Sequence, residues 1–209
     1  MTSEVQHPTE TMVEDISRFT QDIESLHTSL PLIMSLTLAL RRDTHKKYQD
    51  FLAEHAELKE KTDDSATYIL QIDDVSEANK LEQINQNFRN AYRLIPRHFV
   101  TALVSQYDSF LGRIIRFMFA VKPEMLNYSD KALSYTQLVS FPDLISARDY
   151  VVEKEIETVI RKSHADQFAW LKEKLKTPFN KDLPCWPQFI ELTERRNLFV
   201  HTDGKISSQ

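Results

Sequence analysis

The chain has 209 residues, 41% of them hydrophobic, and a chain of this size and composition can bury an ordinary globular core. Its two glycines, Gly112 and Gly204, exclude the glycine-rich loops that bind the phosphates of nucleotides and dinucleotides. The formal net charge of −5 at pH 7 provides no global positive field, so any contact with RNA has to be local.

Cysteine content and the N-terminal residues predict a cytoplasmic location. The single cysteine, Cys185, cannot form an internal disulfide or a typical structural zinc site, and no spacing of histidines and carboxylates indicates another metal. We therefore expect neither a metal nor another cofactor. Residues 1–11 lack the basic and apolar regions of a secretory signal. The longest apolar run, 30–40, is too short to span a bilayer and predicts a core helix, so no membrane association is expected.

Two helices are predicted in the N-terminal part of the chain. The first is indicated by apolar residues at helical spacing, namely Val13, Ile16, Phe19, Ile23 and Leu26. Pro31, which follows Ser29, suits the first turn of a second helix that continues to about Leu58. The polar stretch 59–76 then breaks the helical period and predicts a loop, with 68–72 as its one possible strand.

The middle of the chain predicts a long apolar helix. It resumes near Glu77 and meets Pro96, which should kink or split it because proline lacks a backbone donor. The piece 97–121 is apolar on more than one face, so we expect it to be central. Gly112 within this piece is interpreted as the mark of a close helix crossing.

Basic residues recur every four positions along the same predicted helix, at Arg89, Arg93 and Arg97. A solvated helix face is the ordinary explanation of such a pattern. These arginines gain functional meaning only if basic groups converge in space.

The C-terminal part predicts further helices. A loop at 122–140 is followed by a helix over 143–176 that breaks near Ser163, and the proline-containing segment 177–187 forms a connection. The last helix begins after Trp186 with Pro187 in its first turn, and Gly204 is placed to end it in a left-handed cap. The whole pattern predicts an all-α protein.

The last helix carries an unusual set of side chains. Arg196 falls on the same side as apolar residues, namely Phe189, Leu192, Phe199 and Val200. An arginine in that position requires a buried acid, an interface or a bound anion. On another side, Glu194, Asn197 and His201 form a polar stripe. A histidine that exchanges protons beside a guanidinium that holds phosphate is the minimum equipment for phosphodiester cleavage.

The segment Arg196-Asn197-Leu198-Phe199-Val200-His201 resembles the RNxxxH motif of HEPN-domain ribonucleases. Its wider setting, 194–204, and the earlier Tyr107-Asp108-Ser109-Phe110-Leu111 are similar to a prokaryotic branch of that family that acts in defence or as toxins. The resemblance covers roughly residue 77 onward. It implies an up-and-down helical bundle over 77–209, with 1–76 as an N-terminal helical extension and polar loop.

The resemblance also implies a function, which is metal-independent cleavage of RNA by attack of the ribose 2′-hydroxyl. On that basis His201 transfers the proton, Arg196 stabilises charge on the phosphorus centre, and Asn197 orients one of them. The expected substrate contacts are Arg195, Glu194 and Asp108. The implied partners are RNA, a second copy of the chain, and an antitoxin or a fused sensor or effector domain.

Three other interpretations fit the same residues. Arg196 can pair with an acid such as Asp108 for structure alone, the domain can be a HEPN-like module that binds a nucleotide or protein without catalysis, or the motif can be coincidental in a helical interaction domain. About 140° separates Arg196 from His201 around the helix axis. One helix therefore does not direct both side chains at the same phosphate, and we expect a composite site in a homodimer.

Overall fold

The computed structural model describes residues 8–61, 66–176 and 182–204. Within these ranges the chain is mostly helical, which confirms the all-α class. The helices are α1 (Pro8–His55), α2 (Val75–Val121), α3 (Tyr135–Leu138), α4 (Leu144–Ile160), α5 (His164–Leu175) and α6 (Trp186–Thr202). One hairpin of β1 (Ala56–Lys61) and β2 (Ala66–Leu70) joins α1 to α2, and a short 3₁₀ helix covers Pro123–Tyr128.

The two predicted N-terminal helices are one continuous helix, α1, so the predicted helix start at Pro31 is wrong. Pro31 lies inside this 48-residue helix. Proline fits helical φ but removes one backbone hydrogen bond, a local cost of about 3 kcal/mol. A helix that continues on both sides can absorb that cost through its other contacts, because helices in proteins are stabilised mainly by tertiary packing.

The predicted loop at 59–76 contains the end of β1 and all of β2, which pair as a β-hairpin. β1 and β2 pair antiparallel, with Ala56 opposite Leu70 and Lys61 opposite Ala66, and the register shifts between Leu58 and Glu60. The predicted strand at 68–72 overlaps β2 in part. Strand pairing satisfies backbone donors and acceptors that a loop would leave to water, which the polar composition of this stretch did not reveal.

Helix α2 continues through Pro96, where a kink or a split was predicted, so the helix is not split there. The predicted break near Ser163 is confirmed, because α4 ends at Ile160 and the Ser163 hydroxyl accepts a hydrogen bond from the Asp166 amide at 3.2 Å. The predicted end of α6 is confirmed as well. Gly204 has a φ of 77° and donates its amide to the Leu198 carbonyl at 2.9 Å.

The chain divides into two compact units. The first contains Met1–Glu24 and Val100–Gln209, and the second contains Ser25–Phe99. The predicted division after residue 76 falls inside the second unit. The buried hydrophobic core of the first unit is formed by Leu111, Ile115, Phe119, Ile156, Val159, Trp170 and Leu171. Three of these come from one face of α2, so the central position of this apolar piece is confirmed.

Helix α1 leaves much of its apolar surface exposed. Leu32 and Leu36 are 68% and 62% exposed, so the described chain does not bury the run 30–40 as a core helix. By length and composition alone, Met12–His55 could cross a membrane, although core helices of soluble proteins and signal sequences have the same properties. Of the predicted apolar stripe, Val13 and Ile16 are exposed, whereas the Phe19 ring stacks on Phe110 with centroids 4.2 Å apart.

Candidate functional site

The motif residues lie along the second half of α6. Arg196 is partly buried, with 22% of its side chain exposed, and Asn197 is half-buried next to it. His201 is exposed in the last turn of the helix. The structure therefore gives Arg196 and His201 different environments within one copy of the chain, as expected from the 100° rotation between successive helical residues.

Arg196 pairs with a carboxylate from another helix. Its Nη2 donates a hydrogen bond to Oδ2 of Asp108 on α2 at 3.0 Å, and the two side chains are 22% and 21% exposed. This ion pair accounts for an arginine on the apolar side of α6 without a second copy of the chain. It also leaves the buried Nε of Arg196 without a hydrogen-bond partner among the described residues.

A histidine that the sequence did not single out completes this cluster. His164, the first residue of α5, is 7% exposed, and its Nε2 lies 3.4 Å from Oδ1 of Asp108 without hydrogen-bond alignment. The His164 ring also lies against the ring of Tyr107, with centroids 5.7 Å apart. We call Tyr107, Asp108, His164 and Arg196 the Asp108 cluster.

Several polar atoms of the Asp108 cluster are buried and lack partners in the described part of the chain. They are Tyr107 Oη, Asp108 Oδ1, His164 Nε2 and Arg196 Nε. Most buried polar groups in proteins are hydrogen-bonded, so this concentration in one place is unusual. Burial, and next the charge of Asp108, raise the pKa of Tyr107 well above its ordinary value, so its hydroxyl stays protonated. The cluster thus retains both donors and acceptors.

An aromatic pocket of about 420 Å³ adjoins the cluster through Tyr107. Its other aromatic walls are Phe168, Trp186 and Phe189, which contact one another at ring-centroid distances between 4.8 and 6.2 Å. Trp186 and Phe189 belong to the first turn of α6, where Pro187 fixes the backbone. Flat apolar walls of this kind suit a planar ligand such as a nucleobase.

The remaining predicted site residues are on the surface of α6. Arg195 is paired with Glu191 one turn earlier at 2.7 Å, and Glu194 is exposed. His201 forms no side-chain hydrogen bond or ion pair with the described residues. The structure therefore brings Asp108 and Arg196 together, and it does not add Arg195, Glu194 or His201 to their cluster.

Sequence reasoning missed two members of the cluster, Tyr107 and His164. No spacing in the sequence connects His164 to residue 108. The residue before His164, Ser163, caps the N-terminus of α5. A capping serine indicates where a helix starts, and it does not indicate a functional histidine. Among the described residues, no group of three or more metal-ligating side chains is found.

Comparison with family models, curated proteins and solved structures finds no match to this chain.

Proposed function

We propose that the chain is a metal-independent endoribonuclease that cleaves RNA by attack of the ribose 2′-hydroxyl on the adjacent phosphate. The observation that carries the proposal is the state of Arg196. A carboxylate holds its guanidinium while the buried Nε makes no hydrogen bond with the described residues, and an exposed histidine lies in the last turn of the same helix. The resemblance of residues 196–201 to the RNxxxH motif supports the same proposal.

Arg196 would stabilise the charge that develops on the phosphate oxygens, because a guanidinium forms strong, directed hydrogen bonds to phosphate. His201 would take the proton from the 2′-hydroxyl or give one to the leaving 5′-oxygen. The products would carry a 2′,3′-cyclic phosphate and a 5′-hydroxyl. Asn197, half-buried beside Arg196, would orient one of the two groups.

Asp108 has a different role in this proposal from the one expected at first. A carboxylate repels a phosphate, and Asp108 already holds Arg196. It is therefore a positioning residue that sets the guanidinium and makes no substrate contact. Arg195 is engaged by Glu191 on the surface and is a less effective phosphate ligand than Arg196.

The active site would be composite. Because Arg196 and His201 lie on different sides of α6, a single copy does not present both to one phosphate. Two copies related by a twofold axis can combine the arginine of one with the histidine of the other. The aromatic pocket beside Tyr107 would hold an unpaired base near the cut, since single-stranded RNA is bound largely by stacking.

The biological role that fits this chemistry is that of a toxin or an antiviral defence effector in the cytoplasm. A nuclease of this kind requires control, which an antitoxin or a fused sensor or effector domain would provide.

The first experiment measures cleavage of labelled RNA in excess EDTA by the wild-type protein and by Arg196→Ala and His201→Ala variants. Arg195→Ala is the matched control, because it removes a neighbouring exposed arginine. We expect each of the first two substitutions to lower the rate at least about 100-fold and the control to leave it nearly unchanged. Equal cleavage in all four samples would refute the proposal.

The composite site is tested with a heterodimer that combines one Arg196→Ala copy and one His201→Ala copy, each purified through its own tag. If the two groups come from different copies, one of the two sites is intact and about half of the wild-type activity returns. If both groups act from the same copy, the heterodimer is as inactive as the single variants.

A second candidate is a binding module without catalysis. It is favoured by the neutralisation of Arg196 by Asp108 and by the distinct environment of His201 within one copy. In that case RNA binds saturably and Arg196→Ala weakens binding, while the wild-type protein yields no more product than His201→Ala does.

A further inference from the structure

A pocket in the second unit gathers basic side chains from two helices. It has a volume of about 400 Å³ and is lined by residues of α1 and α2 that belong to this unit. Its lining residues are Leu38, Arg41, Arg42, His45, Asn85 and Arg89. Arg89, which the sequence placed in a solvated basic pattern, thus converges with two arginines distant in sequence.

Among the residues that the structure describes, no aspartate or glutamate lines this basic pocket. No aspartate or glutamate occurs in 25–42 or in 83–107, the two stretches that contribute most of the lining. Arg41, Arg42 and Arg89 form no ion pair with the described residues. Arg41 lies over the Tyr92 ring at 5.3 Å, a cation–π contact that holds its guanidinium.

Two acids flank the lining residues in sequence, and one of them, Glu82, lies one turn before Asn85, is exposed and does not line the pocket. Asp43 follows Arg42 directly, but its carboxylate is engaged by Lys47 at 2.8 Å. Like charges held together repel one another, so three unpaired arginines in one pocket favour an anionic ligand.

Asn85 adds a second, independent observation. Its side chain is 5% exposed, and its Oδ1 is buried with no hydrogen-bond partner in the described residues. The other buried polar residues of this unit behave differently, since the hydroxyls of Thr37 and Thr44 donate to carbonyls of α1. An unpaired buried acceptor is costly unless a ligand supplies a donor.

We propose that this pocket binds the di- or triphosphate group of a small molecule. A phosphodiester in a strand carries one negative charge, which the charge of three arginines exceeds, whereas a triphosphate carries several charges in a compact group. Guanidinium groups bind phosphate oxygens in a planar, paired geometry, so the lining matches this ligand in charge and in chemistry.

Two sources share this chemistry, inorganic polyphosphate and a nucleotide. The Asn85 acceptor favours a nucleotide, because a ribose hydroxyl or a base amino group supplies the donor that polyphosphate lacks. The pocket contains no residue of the Asp108 cluster, so this proposal does not depend on the ribonuclease.

The test is calorimetric titration of the purified protein with sodium tripolyphosphate, with ATP and with a short RNA that lacks a terminal triphosphate. We expect saturable binding of one or both triphosphates, and we expect that the RNA, which can also bind the proposed ribonuclease site, does not displace them. Arg41→Gln and Arg89→Gln should each weaken triphosphate binding at least about tenfold. Arg93→Gln, an exposed arginine one turn beyond Arg89 and outside the pocket, is the matched control and should bind as the wild type does.

The relative affinities of ATP and tripolyphosphate distinguish the two ligand sources. If ATP binds more tightly than tripolyphosphate and Asn85→Leu abolishes the difference, the ligand is a nucleotide. If the two affinities are equal, the ligand is polyphosphate. Both results support the site. Absence of saturable triphosphate binding, equal weakening by Arg93→Gln, or displacement of bound triphosphate by the RNA would overturn it. Circular dichroism of each variant confirms that α1 and α2 are intact.

Discussion

The ion pair between Arg196 and Asp108 makes a sharp prediction about stability. Replacing Asp108 with leucine leaves the guanidinium partly buried and unpaired, and replacing Arg196 with methionine leaves the carboxylate in the same condition. Removing one partner from a fully buried pair costs about 3 to 5 kcal/mol, and an exposed pair is worth at most about 1 kcal/mol. With side chains 22% and 21% exposed, we expect about 2 kcal/mol for each single substitution.

The measurement is urea unfolding followed by circular dichroism, with thermal unfolding alongside it. A loss of about 2 kcal/mol corresponds to a fall in Tm of roughly 4 to 8 °C for a chain of this size. The double variant Asp108→Leu with Arg196→Met should recover part of the loss, because it leaves neither charge unpaired, and the coupling should be about 1 to 2 kcal/mol. Arg195→Met is the control, since its pair with Glu191 is 60% and 61% exposed and should contribute under about 0.5 kcal/mol.

Two results would refute this reasoning. If Arg196→Met and Arg195→Met lower the free energy of unfolding by the same small amount, burial does not increase the contribution of Arg196 to stability. Additive effects in the double variant would show that Asp108 and Arg196 do not interact in solution.

Two further predictions concern the first unit. Gly112→Ala should stabilise the protein by about 0.5 to 1 kcal/mol, because glycine is unfavourable inside a helix and the added Cβ would lie 3.7 Å from Ile156 Cγ2, an ordinary contact; a lower urea midpoint would contradict it. Glu153→Gln should cost under about 1 kcal/mol at pH 7, since the pair with Arg116 is half exposed. The Arg116 hydrogen bond lowers the pKa of Glu153, so this difference should be present above the ordinary glutamate pKa and disappear as pH falls through the lowered pKa; an unchanged difference at acid pH would contradict it.

Helical periodicity and capping residues predicted the features that depend only on residues close together in the sequence. The all-α class, the break at Ser163 and the end of α6 at Gly204 follow from the spacing of apolar residues and from the preferences of serine and glycine. These signals act over one or two turns, so they are visible in the sequence.

Proline was a misleading signal at two positions where a helix can either continue or end. Pro31 and Pro96 each permit a helix to begin or to break, and in both cases the helix continues. The polar composition of 59–76 predicted a loop and did not indicate the hairpin of β1 and β2. Gly112 did not require a close crossing, because the helices leave space for a methyl group.

The sequence alone determined the helical class and indicated Arg196 as an arginine in need of a partner. It could name Asp108 as a candidate acid, but only the tertiary structure decided that pairing and brought Tyr107 and His164 to the same place. The same holds for the convergence of Arg41, Arg42 and Arg89. Periodicity identifies which face of a helix a residue occupies, whereas the identity of its neighbours depends on how distant helices pack.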